Sequence, residues 1–140
     1  MIVESKPGRV LVGRLPHGSD LLAELTRVAA ENGVLVGRVE AIGAVSRARF
    51  GYYDQTGRKY VYLEREEPLE ILALVGNVSL KDGGVFVHAH VTLADEAGQA
   101  FGGHLAEGTV VFAAEFRIEE LVGVELRRVP DKTTGLALWG

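Results

Sequence analysis

The chain has 140 residues, 47% of them hydrophobic and 24% charged, with a net charge of −4 and no cysteine. That length carries a real core and suits one domain over residues 1–140, while the missing thiols exclude disulfides and thiolate metal sites. No apolar run is long enough to span a membrane, and the acidic balance disfavours nucleic-acid binding through bulk electrostatics.

The opening residues, Met1-Ile2-Val3-Glu4-Ser5-Lys6, lack the basic-then-apolar layout of a secretory signal, so a cytoplasmic location is expected. Eleven arginines stand against four lysines, yet only Arg127 and Arg128 are adjacent and no basic stripe forms. Arg9–Leu15 reads as a first strand, stopped by Pro16 and Gly18. Ser19 is the expected N-cap of a helix, with Asp20 in its first turn to complement the dipole. Leu21, Leu22, Leu25, Val28 and Ala29 then fall on one helical face, and Gly33 supplies the stop.

From Val34 the pattern becomes short β-rich runs: Val34–Val45, Ala48–Tyr53, Lys59–Arg65, Leu69–Leu80, Val85–Leu93, Gln99–Phe101, Thr109–Ile118 and Leu121–Val129. Turn residues separate them, as in Asp54-Gln55-Thr56-Gly57, Lys81-Asp82-Gly83-Gly84 and Asp95-Glu96-Ala97-Gly98. Connections this short favour antiparallel neighbours, which predicts an α+β fold with one main helix packed on a largely antiparallel sheet. Gly43, Gly76, Gly102 and Gly103 lie in or beside predicted strands, where glycine marks a bulge or a close backbone approach.

Three of the four histidines fall within seventeen residues, as His88-Ala89-His90 and Gly102-Gly103-His104. Residues two apart on a strand share a face, with Cα atoms roughly 6.5–7 Å apart, so two imidazoles can converge on one ion. A neighbouring strand can bring the third, and three histidines leave a coordination position open. On Val85–Leu93 one face is Val85, Val87, Ala89, Val91 and Leu93, plainly core; the other, Phe86, His88, His90 and Thr92, suits a pocket wall or a subunit interface. A histidine hydrogen-bonded within a strand is the plain alternative. Glu115 alternates with Phe112, Ala114 and Phe116 and is a candidate fourth ligand or general base, with a solvated outward face equally compatible. His17, in Pro16-His17-Gly18, reads as an exposed turn residue, and Asn77 and Ser79 as pocket-lining or strand-end hydrogen bonders.

Taken in order, Pro16-His17-Gly18-Ser19-Asp20-Leu21-Leu22, Ala41-Ile42-Gly43-Ala44-Val45, Leu69–Asn77, His88-Ala89-His90-Val91, Gly102-Gly103-His104-Leu105, Ala114-Glu115 and Asp131-Lys132-Thr133-Thr134-Gly135-Leu136 resemble the plants-and-prokaryotes-conserved (PPC) domain over nearly the whole chain. The resemblance implies an α+β fold and a homotrimer. In land plants such domains follow an AT-hook in nuclear DNA-binding proteins; no hook is present in this sequence. The fold also resembles that of acetolactate decarboxylase, a zinc enzyme with a similar His-x-His and Gly-Gly-His arrangement. That likeness assigns His88, His90 and His104 as ligands of a divalent transition metal, with zinc the expected ion. The decarboxylase's further carboxylates and arginine do not map securely onto this chain.

Three functions compete on these grounds. The first is a trimeric binding, assembly or regulatory module whose metal is structural or ligand-sensing. The second is a metal-dependent lyase or decarboxylase acting on an oxo- or hydroxy-acid, in which the ion polarises a carbonyl, Glu115 carries a proton and Arg117 holds a small-molecule carboxylate. The third is a DNA-associated protein, disfavoured by the charge and the missing hook.

Overall fold

The computed structural model describes the whole chain, Met1–Gly140. In chain order it forms β1 (Lys6–Leu15), α1 (Leu21–Glu31), β2 (Gly37–Asp54), β3 (Lys59–Arg65), β4 (Leu69–Lys81), β5 (Gly84–Ala94), β6 (Ala100–Leu105), β7 (Val110–Val122), β8 (Arg128–Pro130) and β9 (Ala137–Trp139). Seven strands make one antiparallel sheet in the order β1-β7-β2-β4-β5-β6, with β3 on β2, while β8 and β9 pair apart from it. The α+β expectation holds, and α1 is the one helix. It is too short to cross a membrane.

Two predicted runs, Val34–Val45 and Ala48–Tyr53, are a single 18-residue strand. The first part of β2 pairs with β4 and β7; the second pairs with β3 and, at Phe50 and Gly51, with β6. Hydrogen-bonded neighbours therefore run from β2 through β4, β5 and β6 back to β2. Leu121–Val129 was expected as a strand, but β7 runs only to Val122; Gly123 turns at a φ of 80° and the chain resumes as β8.

One side of the sheet holds the core. Val39, Ala41, Leu74, Val78, Val87, Ala89, Val91 and Leu93 point inward, where α1 packs Leu21, Leu25 and Ala29 against β5 and β7. The alternation expected for β5 is the one observed. That expected for β7 fails at Phe112: the register with β2 slips there, so Val111 and Ala114 are both buried although three apart, and Phe112 is 59% exposed. Gly43, opposite this bulge, has a φ of 139°, and a Cβ on it would collide with the Ala113 carbonyl.

The helix begins one residue later than its sequence suggests. Asp20, not Ser19, is the N-cap: one carboxylate oxygen accepts the Ala23 N–H at 2.9 Å and the other the Gly108 N–H at 2.6 Å. Pairing with β7 sets this start, because Gly18 donates to Val111, Val111 to Ser19 and Leu21 to Thr109. Ser19 instead donates its hydroxyl to the Pro16 carbonyl. The helix ends as predicted, with Gly33 at a φ of 68° after the Asn32 C-cap.

Asp20 therefore satisfies two backbone donors on separate elements. Asp20→Ala is expected to cost about 2 kcal/mol, at the upper end of cap losses, in urea unfolding. Ser19→Ala should cost less than half as much; equal losses would contradict the assignment of the cap.

Candidate metal centre

The face opposite α1 carries the histidines. Strand alternation places His88 and His90 on that face of β5 while Val87, Ala89 and Val91 fill the core. The hairpin after β5 is fixed by Asp95, whose side chain accepts the N–H groups of Ala97 and Gln99. It returns as β6 in a register that sets His104 directly opposite His90. Gly102 and Gly103 permit this return: a Cβ on either would collide with the carbonyl of Val91 or Gly51. Gly76 does the same on β4, where a Cβ would meet the His88 carbonyl.

The three rings lie with centroids 5.3 Å (His88–His90), 4.9 Å (His88–His104) and 5.7 Å (His90–His104) apart. Each offers one nitrogen, and these nitrogens lie within 4.8 Å of one another. Ligands around a tetrahedral zinc, at about 2.0–2.1 Å from the ion, are separated by about 3.3–3.4 Å, a difference within reach of the soft imidazole torsions. Nδ1 of His104 is buried and has no hydrogen-bond partner. A buried polar atom left unpaired is costly and is ordinarily matched by a partner such as an ion or a water. The residues present thus fit a metal ion, and the donor set, all imidazole, is that of a transition metal.

Burial pushes the pKa of both His88 and His104 down to about 4; the neighbouring imidazoles and the Arg128 guanidinium push the same way. Both rings are therefore neutral at pH 7, with a lone pair available to a metal. His90 is the exposed member of the three.

Other elements complete the surroundings. From β3 the Tyr60 ring lies 4.6 Å from that of His104. From β8 the Arg128 guanidinium reaches back to β4, donating to Ser79 Oγ at 3.1 Å and Asn77 Oδ1 at 2.8 Å, and approaches His88 Nδ1 at 3.3 Å. Asn77 and Ser79, read from sequence as pocket-lining or strand-end hydrogen bonders, both hold this arginine, and Asn77 lines a surface pocket with His88 and Arg128. Nothing local in the sequence marks Arg128 or Tyr60, since Arg128 meets partners 49, 51 and 40 residues away.

Glu115 is not brought to the histidines. It lies exposed on β7, with β2 and β4 between it and β5, a span of about 14 Å at the usual strand spacing. Its neighbours are Arg14 and Ile42. Arg117, on the same strand, is paired with Glu119 at 2.8 Å and Glu40 at 3.6 Å rather than free for a ligand. His17 is exposed, as expected, with Nδ1 on the Phe112 carbonyl at 2.8 Å.

The model of the Plants and Prokaryotes Conserved (PCC) domain family matches residues 2–122. The metal-containing protein AF0104 from Archaeoglobus fulgidus superposes with a TM-score of 0.95 at 42% identity, covering 100% of this chain and 99% of that one. A plant- and prokaryote-conserved (PPC) protein from Pyrococcus horikoshii gives 0.94 at 38% identity over 100% and 97%. A Staphylococcus aureus protein described as similar to alpha-acetolactate decarboxylase shares the fold alone, at 15% identity and a TM-score of 0.55 over 87% of this chain and 55% of its own. By sequence, the bifunctional protein GlmU of a Synechococcus strain is 40% identical over 124 residues, 87% of this chain. The chain spans only 18% of that relative's length.

The lowered histidine pKa values fix a pH dependence for the metal-free protein. Between about 4 and the unfolded value of 6.5 the unfolded chain binds more protons at His88 and His104 than the folded one. Stability should thus be full above pH 6.5 and fall as pH drops toward 4, by about 1 kcal/mol per ring after allowance for partial exposure. Urea unfolding of chelator-treated protein across this range checks it; His104→Phe should flatten the slope, and an unchanged slope would contradict the assignment.

Proposed function

This chain belongs to the Plants and Prokaryotes Conserved (PCC) domain family, and from that premise we propose that it is a homotrimeric binding or regulatory module built around a metal ion held by His88, His90 and His104. Zinc is the expected ion. The observation that carries this reading is the convergence of three imidazole nitrogens within 4.8 Å, in a cluster where Nδ1 of His104 is buried without a partner. The similarity to a metal-containing protein over the full chain supports it.

When bound, such an ion supplies Lewis acidity at its open coordination position. The protein's own groups set the surroundings: burial keeps His88 and His104 unprotonated, Tyr60 covers one flank of His104, and Arg128 holds positive charge beside His88. Binding is favoured over turnover because the carboxylate expected to move a proton, Glu115, stands two strands away. The homotrimer is supported by the outer sheet face, where Ile42, Leu72 and Val75 are 57%, 52% and 49% exposed. Apolar side chains clustered on one face commonly mark an interface. A nucleic-acid role draws no support from a net charge of −4.

Protein purified without an affinity tag is expected to carry roughly one zinc ion per chain by elemental analysis, and His88→Ala/His90→Ala less than about a tenth of that. Zinc added in large excess over its dissociation constant should raise the melting temperature of stripped wild type, a gain of about 4 kcal/mol at a thousandfold excess, and leave the double variant unmoved. Sedimentation equilibrium should return the mass of three chains. Metal content equal in both proteins would overturn the site, and a monomer the assembly.

A further inference from the structure

The charge around the histidines is one-sided. Eight of the eleven arginines pair with a carboxylate within 4 Å, which leaves Arg14, Arg58 and Arg128. Arg14 and Arg58 are exposed, whereas Arg128 is part-buried. Its partners are all uncharged: Ser79, Asn77, the Ala137 carbonyl at 2.9 Å and His88. Ser79 itself is fully buried, so the guanidinium is anchored against a rigid strand. A part-buried cation without a counter-charge is expensive, and an anion from solution is the natural compensation.

Arg128 lines a cavity of about 330 Å³ that His88 and His104 share with Tyr60, Lys81 and Phe86. No Asp or Glu lines it. Lys81 adds a second positive charge, its ammonium 4.9 Å from the centre of the Phe86 ring over which Arg128 also lies at 5.3 Å. Lys81 forms no ion pair, and its three N–H donors are free of protein acceptors. Of the five N–H groups of Arg128, four face Ser79, Asn77, Ala137 and His88, and one on Nη1 is left. The far wall is apolar, with Leu136 and Leu138 from the β8–β9 hairpin. Arg128 and this wall lie beyond residues 2–122, the stretch matched by the family model.

We propose that this cavity is a binding site for a small organic carboxylate, its charged end on Arg128 and Lys81 and its carbon body against Phe86 and Leu138, beside the histidine cluster. The cavity is at the small end of ligand sites, which limits the occupant to a few carbons or one ring. Two cations, one of them anchored, and no anion select a negative group; the aromatic and aliphatic walls select an organic one over inorganic phosphate. The ligand's position next to the histidines rests on the metal reading above, but the two cations do not.

The test is calorimetric titration of benzoate, propionate and inorganic phosphate into zinc-loaded and chelator-stripped protein, with zinc content measured separately on each sample. Saturable benzoate or propionate binding is expected in wild type, weakened at least about tenfold in Arg128→Gln and several-fold in Lys81→Gln. Because Arg128 also ties β8 to β4, Arg128→Gln is judged only if its circular dichroism and melting temperature match wild type; otherwise Lys81→Gln, on a cation that makes no hydrogen bond or ion pair within the protein, decides. No carboxylate binding by protein shown to carry zinc would overturn the proposal and leave the metal site standing. Carboxylate binding lost in the variants by protein that takes up no zinc would uphold it while the metal reading fails. Phosphate bound as tightly as benzoate, or either carboxylate bound equally by Lys81→Gln, would overturn it.

Discussion

Between the Val91 carbonyl of β5 and the Gly51 carbonyl of β2 there is room for a backbone but not for a Cβ, and Gly102 and Gly103 occupy that room. Their close approach lets β6 pair with two strands at once, so that β2, β4, β5 and β6 close on one another. It also fixes the register in which His104 faces His90. A side chain at either glycine would push β6 away from both partners, moving the third imidazole with it. Sheet closure and the histidine cluster are thus consequences of one steric constraint.

The two faces of the sheet divide the work. The inner face is apolar core under α1, which makes β4 and β5 a stiff platform. On the outer face one row runs Arg117, Glu40, Val75, His90, His104 across five strands. Charges at its β7–β2 end neutralise one another as ion pairs. At the β5–β6 end, beneath the β8–β9 hairpin, they do not, and the unpaired Arg128 and Lys81 meet the neutral imidazoles of His88 and His104. A molecule that is acidic overall therefore presents two cations without a counter-charge, Arg128 and Lys81, beside the cluster.

Much of this was legible in the chain, for reasons that differ by element. The β5 histidines could be placed because alternation alone puts Val87, Ala89 and Val91 inside and His88 and His90 outside. The glycines on β6 could be read because a glycine in a strand has few other uses. What failed depended on contacts distant in sequence. The helix start moved from Ser19 to Asp20 because pairing with the β7 region, about ninety residues on, sets where the first turn begins. The β7 parity broke at Phe112 because a bulge is a property of two strands, not one. Arg128 was invisible for the same reason: its partners, Asn77 and Ser79, lie on β4, and no period or motif connects them. Glu115 had a plausible residue type in a plausible strand, but strand order, which periodicity does not encode, put two strands between it and the histidines.

The claim on which the rest turns is that His88, His90 and His104 bind one ion together. Anomalous diffraction at the zinc edge, from crystals of zinc-loaded protein, tests it most directly. One strong peak per chain is predicted, within about 2.0–2.1 Å of one nitrogen from each of the three rings. A peak on fewer than three of them, or zinc found only elsewhere on the surface, would contradict the account.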